Sequence, residues 1–154
     1  MHMHLPMHVS VATPANLPVL CELLRELFSM ETEFTPDTDA QVRGLTQILS
    51  NPEIGTILVA TEDQAVVGMV SVLYTVSTAL GSPAALLEDM IVARAARGKG
   101  IGTMLLQAAF QTARARGCRR ITLLTDASNA SAQRFYARHG FHRSAMVPMR
   151  VELP

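Results

Sequence analysis

The sequence predicts a mixed α/β fold built around one sheet, and two observations support it. The chain has 154 residues, which is the length of one domain. Its hydrophobic patterns follow the order β-α-α-β-β-β-α-β-α-β. Strand patterns that follow each other directly are expected to pair antiparallel, whereas the strand–helix–strand unit over residues 84–125 is expected to form a parallel pair. We assign residues 9–154 to one domain and residues 1–8 to a flexible tail.

The first third of the chain is predicted to be mainly helical. A short β-like segment at 9–12 precedes a helix that Asn16 can cap and that runs to about residue 29, with leucines at helical spacing. A second helix is predicted over residues 37–49. The link between the two helices is irregular and carries four acidic side chains: Glu31, Glu33, Asp37 and Asp39.

After residue 50 the pattern becomes strand-like. The predicted elements are strands at 55–61, 65–78 and 84–93, a helix at 103–116, a strand at 118–125, a helix at 129–138 and a strand at 146–153. The three consecutive strands are rich in β-branched side chains and are separated by polar or glycine-containing turns. Pro148 interrupts the last segment, so that strand is predicted to be weak.

Composition excludes two broad classes of protein. Apolar residues make up 49% of the chain and charged residues 17%, so a wholly disordered chain is excluded. The longest charge-free stretch, residues 64–87, is too polar and too often interrupted to span a membrane. The first ten residues contain no Lys or Arg, unlike a secretory signal. Cys21 and Cys118 provide no disulfide framework, and the expected location is therefore the reducing cytoplasm.

The formal net charge of zero conceals a gradient along the chain. Residues 1–93 carry eleven acidic side chains and two arginines, whereas residues 94–154 carry eleven basic and two acidic side chains. A basic second half suits a polyanionic ligand, and an acidic first half suits a cationic one. Solvated helix faces explain many of these charges equally well.

A glycine-rich turn precedes the helix predicted at 103–116. Gly98, Gly100 and Gly102 let the backbone approach an oxygen-rich group closely, while Arg97 and Lys99 add positive charge. The unpaired amides at a helix start favour an anion, so a phosphate or pyrophosphate is the expected ligand. The turn lacks the Gly-Lys-Ser/Thr of a nucleotide P-loop and the third glycine of a dinucleotide motif.

Two segments resemble the signature motifs of the GNAT superfamily of N-acetyltransferases, which bind acetyl-CoA. The run Arg97-Gly98-Lys99-Gly100-Ile101-Gly102 is similar to the Gln/Arg-x-x-Gly-x-Gly motif, and residues 87–92 resemble the strand before it. Residues 129–136, closed by His139-Gly140-Phe141, are similar to the second signature, Asn-x-x-Ala-x-x-Phe-Tyr…Gly-Phe. The resemblance implies a central, mostly antiparallel sheet with one parallel, splayed pair and helices on both faces.

The resemblance also implies a role for each matching residue. Backbone groups of strand residues 90–92 pair with the pantetheine arm of CoA, and the amides at 98–103 hold the pyrophosphate. Asn129 contacts the arm from the other side of a cleft, and Tyr136 donates a proton to the departing thiolate. The implied CoA-binding residues are Met90, Ile91, Val92, Arg97, Gly98, Lys99, Gly100, Ile101, Gly102, Thr103 and Asn129.

Acetyl transfer to an amine also needs a base. A free alkylamine has a pKa of about 10.4, so it must lose a proton before it attacks a thioester. Glu88 and Asp89 are the candidate carboxylates, but adjacent strand residues point to opposite faces unless a bulge intervenes. Glu88 is the preferred base, acting through water, and Asp89 is the alternative. Tyr136, with an ordinary phenol pKa of about 10, stays protonated at neutral pH and suits the role of acid.

The predicted activity is transfer of an acetyl group from acetyl-CoA to a primary amine of a small molecule or peptide, by direct attack in a ternary complex. The acidic link favours a cationic acceptor. A non-catalytic CoA-binding or regulatory module of the same fold is the alternative. Nucleic-acid binding is disfavoured because the few aromatic residues of the basic half take core or cleft positions. A homodimer is a further expectation, formed through the strand at 66–76 or the C-terminal strand.

No metal site is predicted. His2, His4 and His8 alternate near the amino terminus and are assigned to the tail, and no group of residues has the spacing of a zinc site. Cys118 follows a helix-ending glycine and is predicted to be a small buried residue rather than a nucleophile.

Overall fold

The computed structural model describes residues 7–30 and 37–154. The chain divides into two compact units, residues 1–124 and residues 125–154. The described elements are β1 (His8–Val11), α1 (Leu17–Met30), α2 (Thr38–Leu49), β2 (Gly55–Glu62), β3 (Ala65–Ser77), β4 (Ser82–Val92), α3 (Ile101–Ala115), β5 (Ile121–Leu123) and α4 (Ala130–Arg138). Glu31 and Glu33 of the predicted acidic link, and His2 and His4 of the predicted tail, lie outside the described residues.

Local side-chain hydrogen bonds lie at the starts of the first two helices. The Asp37 carboxylate accepts a hydrogen bond from the Ala40 amide at 3.1 Å, which satisfies one donor at the start of α2. Asn16 ends a 3-10 turn that begins at Pro14, and its Oδ1 accepts from the Thr13 amide at 2.8 Å. Asn16 therefore closes the turn before α1, rather than bonding forward into the helix as the sequence predicted.

The first unit contains one mixed sheet with the strand order β1-β2-β3-β4-β5. The three pairs from β1 to β4 are antiparallel, and β4 pairs with β5 in parallel. The mostly antiparallel sheet with one parallel pair is thus confirmed. β5 has three residues, compared with the eight predicted, and its ladder with β4 covers only Ala85–Leu87.

Helices cover both faces of this sheet, as expected. Leu20 of α1 and Leu45 of α2 form a buried cluster with Ile57 of β2 on one face. On the other face α3 lies against β3, where a Cβ added at Gly68 would stand 3.0 Å from a Leu105 side-chain carbon. Burying a leucine side chain contributes roughly 2 kcal/mol, so these two layers supply the main driving force for folding the first unit.

The second unit consists of α4 and a C-terminal segment without regular structure. The prediction of a strand at 146–153 is wrong for the described chain: Met146, Met149 and Leu153 are 85%, 94% and 86% exposed and belong to no ladder. Two local features oppose a strand here. Pro148 has no N–H to donate, and the Met146 amide donates instead to the Ser144 hydroxyl at 3.0 Å.

Candidate functional site

The turn between β4 and α3 exposes backbone amides. Gly98 and Gly100 have φ values of 81° and 83°, which side chains other than glycine rarely adopt. Apart from the adjacent residues of the chain, no described residue has an atom within 4 Å of a Cβ added at either glycine. Within residues 7–30 and 37–154, no backbone hydrogen bond is donated by the amides of Gly98, Lys99 or Gly100. The helix that follows begins at Ile101, so the turn has the geometry of an anion-binding site.

Two basic side chains belong to this turn, and each forms an ion pair with an acidic side chain: Arg97 with Glu26, and Lys99 with Glu62. The Arg97 guanidinium donates to the Glu26 carboxylate at 3.2 Å and to the Val92 carbonyl at 3.0 Å. The same Glu26 oxygen accepts from the Arg94 amide at 3.1 Å, so α1 braces the start of the turn. Lys99 Nζ lies 3.0 Å from a Glu62 oxygen. These pairs are partly exposed and therefore weak, so an anionic ligand can compete for either cation.

A β-bulge lies in β4 directly before the turn. Ser71 pairs with Glu88 and Met69 pairs with Ile91, so two residues of β4 stand opposite one residue of β3. Asp89 has a φ of 47°, an αL conformation that Asp tolerates better than most residues. Without a bulge, the adjacent side chains of Glu88 and Asp89 would point to opposite faces of the sheet. The bulge allows both carboxylates to lie on one face.

The strand register identifies the face that Glu88 occupies. Ile57, Ser71 and Glu88 lie side by side on β2, β3 and β4, and residues opposite each other in a sheet point to the same face. Ile57 packs in the cluster formed with α1 and α2. Glu88 therefore lies on the same face as these helices, and its side chain is exposed there.

A cavity of about 330 Å³ lies on this face, between α1, α2 and β4. Most of its lining is apolar, from residues such as Leu24, Phe28 and Leu45. Among the described residues, the polar ones in its wall are Asp37, Gln41 and Asp89. The bulged segment thus places Asp89 in the wall of a mostly apolar pocket, which is an arrangement suited to a small organic ligand.

Near the C-terminal end of β4, the described structure has a neighbouring strand on one side of β4 and none on the other. Its ladder with β5 stops at Leu87, whereas its pairing with β3 continues to Val92. In the part of the chain that the structure describes, Met90, Ile91 and Val92 therefore have a neighbouring strand on the β3 side alone. This is the splaying that the resemblance implied.

The other two predicted site residues lie on α4, in the second unit. The Asn129 side chain accepts from the Ala132 amide at 3.0 Å and caps the helix. The Tyr136 ring makes edge-to-face contacts with Phe135 and Phe141, at centroid distances of 5.4 and 5.6 Å. Burial raises the pKa of the Tyr136 phenol above its ordinary value near 10, so this side chain holds its proton at neutral pH.

The two cysteines are free thiols. Cys21 is buried and Cys118 is half-buried, and burial raises the pKa of both thiols. A raised pKa lowers the thiolate fraction, so neither side chain has the character of a catalytic nucleophile.

Two residues at the site were not singled out from the sequence. Gln41 occupies an inward position of α2, four residues before Leu45, and a polar residue inside an apolar stripe is a detectable signal. Glu26 braces the turn from a distance of 71 residues in sequence, and no local pattern indicates such a contact.

Among the described residues, no group of three or more His, Cys, Asp or Glu side chains is placed to hold a metal ion. None of the helices described is both long and apolar enough to cross a membrane.

The mixed sheet, the bulged strand and the glycine turn define an acyltransferase fold. The model of the acetyltransferase (GNAT) family matches residues 17–141. Because the match covers most of the sequence, the chain belongs to this family, and the resemblance noted from its motifs is confirmed. Family membership supports acetyl transfer as the general activity.

Individual proteins resemble the chain to different extents. It is 43% identical over 66 residues to the uncharacterized protein YdhI of Bacillus subtilis (strain 168), a match covering 43% of this chain and 38% of that protein. An integron cassette protein from the mobile metagenome of Cole Harbour Salt Marsh is 28% identical, with a TM-score of 0.83 and coverage of 95% and 90% of the two chains. The aminoglycoside N-acetyltransferase AAC(6')-Iy, solved in complex with CoA, shares the fold at 18% identity, with a TM-score of 0.81 and coverage of 98% and 97%.

Proposed function

We propose that this protein transfers an acetyl group from acetyl-CoA to a primary amine by direct attack in a ternary complex. The observation that carries the proposal is the turn at Gly98 and Gly100, whose left-handed glycines leave amides exposed at the start of α3. Such amides suit a pyrophosphate, and the related aminoglycoside N-acetyltransferase was solved with CoA. A cytoplasmic homodimer remains part of the proposal.

The donor is proposed to bind along β4 and across the turn. The amides of residues 98–103 and the Arg97 side chain contact the pyrophosphate. The backbone of Met90, Ile91 and Val92 pairs with the pantetheine arm, on the side where the described β4 has no neighbouring strand. Asn129 contacts the arm through its side-chain NH₂, since its carbonyl oxygen already caps α4. Acetyl-CoA supplies the thioester, and a backbone N–H near Ile91 stabilises the oxyanion.

The base is proposed to be Asp89, with Glu88 as the alternative. Both carboxylates belong to the same bulged segment, but only Asp89 lines the apolar cavity where an amine substrate fits. The carboxylate takes a proton from the ammonium group, directly or through water, and the neutral nitrogen attacks the thioester carbon. The C–N bond forms, the C–S bond breaks, a second proton leaves the nitrogen for solvent, and the protonated carboxyl group then releases its own proton to solvent.

Tyr136 is proposed to protonate the departing thiolate. Burial holds the pKa of its phenol above the ordinary value, so the proton is present throughout the neutral range. The phenolate that forms takes a proton back from water. Tyr136→Phe keeps the ring and its two aromatic contacts, so it is expected to lower kcat by about 100-fold while CoA binding changes little.

The test of the function is release of free thiol from acetyl-CoA in the presence of a panel of primary amines. Asp89→Asn is expected to lower kcat/KM by about 100-fold at pH 7 and to recover as the pH approaches the amine pKa, because the amine then arrives unprotonated. Glu88→Gln is the matched control and should retain most of the activity. Binding of CoA without thiol release from any amine would establish the non-catalytic module instead.

A further inference from the structure

Gln41 is a buried polar side chain whose amide has no hydrogen bond. The residue is 6% exposed, and neither Nε2 nor Oε1 has a partner in the described part of the chain. Buried amides are nearly always hydrogen-bonded, because a lost hydrogen bond to water is otherwise not replaced. An amide left in this state destabilises the fold, so its presence needs an explanation other than packing.

The position of Gln41 on α2 makes an apolar residue the expected choice. Leu45 and Ile48 follow on the same inward face, and all three line the cavity of about 330 Å³. A leucine would fill the same space without an unsatisfied donor and acceptor. Gln41 thus has the features of a residue retained for a ligand rather than for stability.

We propose that the Gln41 amide binds a primary carboxamide at the far end of the amine acceptor, and this inference rests on the proposed acetyl transfer. A glutamine amide offers one donor group and one acceptor, which match the acceptor and donor of a carboxamide in two hydrogen bonds. Both amide atoms are buried in this structure, so the Gln41 side chain must turn about its torsions to bring either group to the cavity, and the last of these torsions is broad in glutamine. The occupant carries an apolar stem against Leu24, Phe28 and Leu45.

The residues that line the cavity also indicate the charge and size of the rest of the acceptor molecule. Among the described residues that line the cavity, the charged ones are Asp37 and Asp89, so an anionic group beside Gln41 would have no counter-charge. The Asp37 carboxylate already accepts from the Ala40 amide, so we take the ligand group at Gln41 to be neutral. Asp89, on β4, lines the same cavity, and its carboxylate suits the ammonium group. A volume of about 330 Å³ is at the lower end for ligand pockets, so the acceptor is a small molecule.

The experiment compares two sets of amines. The first set is 4-aminobutanamide, 5-aminopentanamide and 6-aminohexanamide, and the second replaces each carboxamide by an isopropyl group of the same shape. Equilibrium binding is measured by calorimetry in the presence of CoA, and kcat/KM is measured with acetyl-CoA. The variants are Gln41→Leu, Gln41→Asn and, as a matched control, Gln47→Leu at an exposed position of α2.

The wild type is expected to prefer the best carboxamide over its isopropyl analogue by about tenfold or more in both readouts. Gln41→Leu should lose that preference while its melting temperature rises, because the unsatisfied amide is gone. Gln41→Asn should shift the preferred carboxamide to a longer stem, and Gln47→Leu should behave as the wild type.

The inference is overturned if the wild type shows no preference or if Gln41→Leu retains it. A preference in binding without thiol release in any reaction would support the role of Gln41 and refute the proposed acetyl transfer. Turnover of both amine sets at equal rates would support acetyl transfer and refute the role of Gln41.

Discussion

Replacing the left-handed glycines of the turn by alanine separates a loss of stability from a loss of ligand binding. Gly98 and Gly100 have φ values of 81° and 83°, and Gly81 in the turn between β3 and β4 has a φ of 65°. A Cβ added at any of the three meets no protein atom within 4 Å. Each alanine variant therefore carries the same kind of backbone strain, and Gly81→Ala is a matched control.

The expected strain is about 1–2 kcal/mol for each variant, because an L-residue pays that penalty in the αL region. For a chain of this size the melting temperature should fall by roughly 2–8 °C. At Gly98 and Gly100 the new methyl group would also occupy the open space through which, in the proposed complex, a pyrophosphate oxygen reaches the amides. Loss of one hydrogen bond to a charged group costs about 1.5–3 kcal/mol, which is roughly a 10- to 150-fold increase in Kd for CoA.

Calorimetric titration with CoA, together with thermal unfolding, measures both effects. Gly81→Ala should lose stability and bind CoA as the wild type does. Pantetheine, which lacks the pyrophosphate, should bind all variants equally. If Gly98→Ala and Gly100→Ala bind CoA as tightly as Gly81→Ala does, the turn does not hold the pyrophosphate and the reasoning is refuted.

Three further predictions concern stability and reactivity. Burial raises the pKa of the Tyr136 phenol, so the folded state keeps the phenol proton to a higher pH than the unfolded state does. The resulting stabilisation of the folded state is complete below pH 10, and it is lost as the pH rises through the pKa of the folded state. Urea unfolding between pH 8 and 12 should therefore show a steeper alkaline loss in the wild type than in Tyr136→Phe, and equal slopes would contradict this. In urea unfolding, Glu26→Ala should lower the free energy of unfolding by about 1–2 kcal/mol, because the Arg94 amide loses its acceptor. Glu26→Gln retains an oxygen at that position and should lower the free energy of unfolding by less than about 1 kcal/mol. Equal losses in the two variants would exclude that hydrogen bond as the cause. In native protein at pH 8, an aromatic disulfide reagent should modify half-buried Cys118 before buried Cys21, as followed by mass spectrometry, and the reverse order would show that Cys21 is accessible.

The pattern of hydrophobic residues was sufficient to predict most of the fold. The strand predicted at 65–78 and the strand predicted at 84–93 both occur within two residues of their predicted ends, and each contains consecutive buried residues because helices cover both faces of the sheet. The start of α2 was predicted within one residue from the spacing of its apolar side chains, and the structure adds that Asp37 caps it. These features depend on short-range physics, namely the strand period and a side chain bonding to a nearby amide.

The remaining features depend on contacts distant in sequence. The bulge at Asp89 is defined by its register against β3, and nothing in residues 84–93 alone indicates where the extra residue falls. The brace from Glu26 to Arg97 joins two separate elements. The segment at 146–153 has an alternating sequence pattern, but in the described structure it does not pair with a neighbouring strand. An alternating pattern leads to a stable strand only when another strand is available to form the hydrogen-bonded ladder.

The αL conformation of Asp89 restricts which amino acids evolution can place there. Glycine, asparagine and aspartate accept a positive φ readily, and of these only aspartate carries an ionisable group. Glutamate, although it has the same charge, would force the bulge to relax and would move the neighbouring backbone. If Asp89 is the proposed base, a lineage that lost acid–base chemistry at this position would change to asparagine or glycine and would keep the shape of the strand after the carboxylate had disappeared.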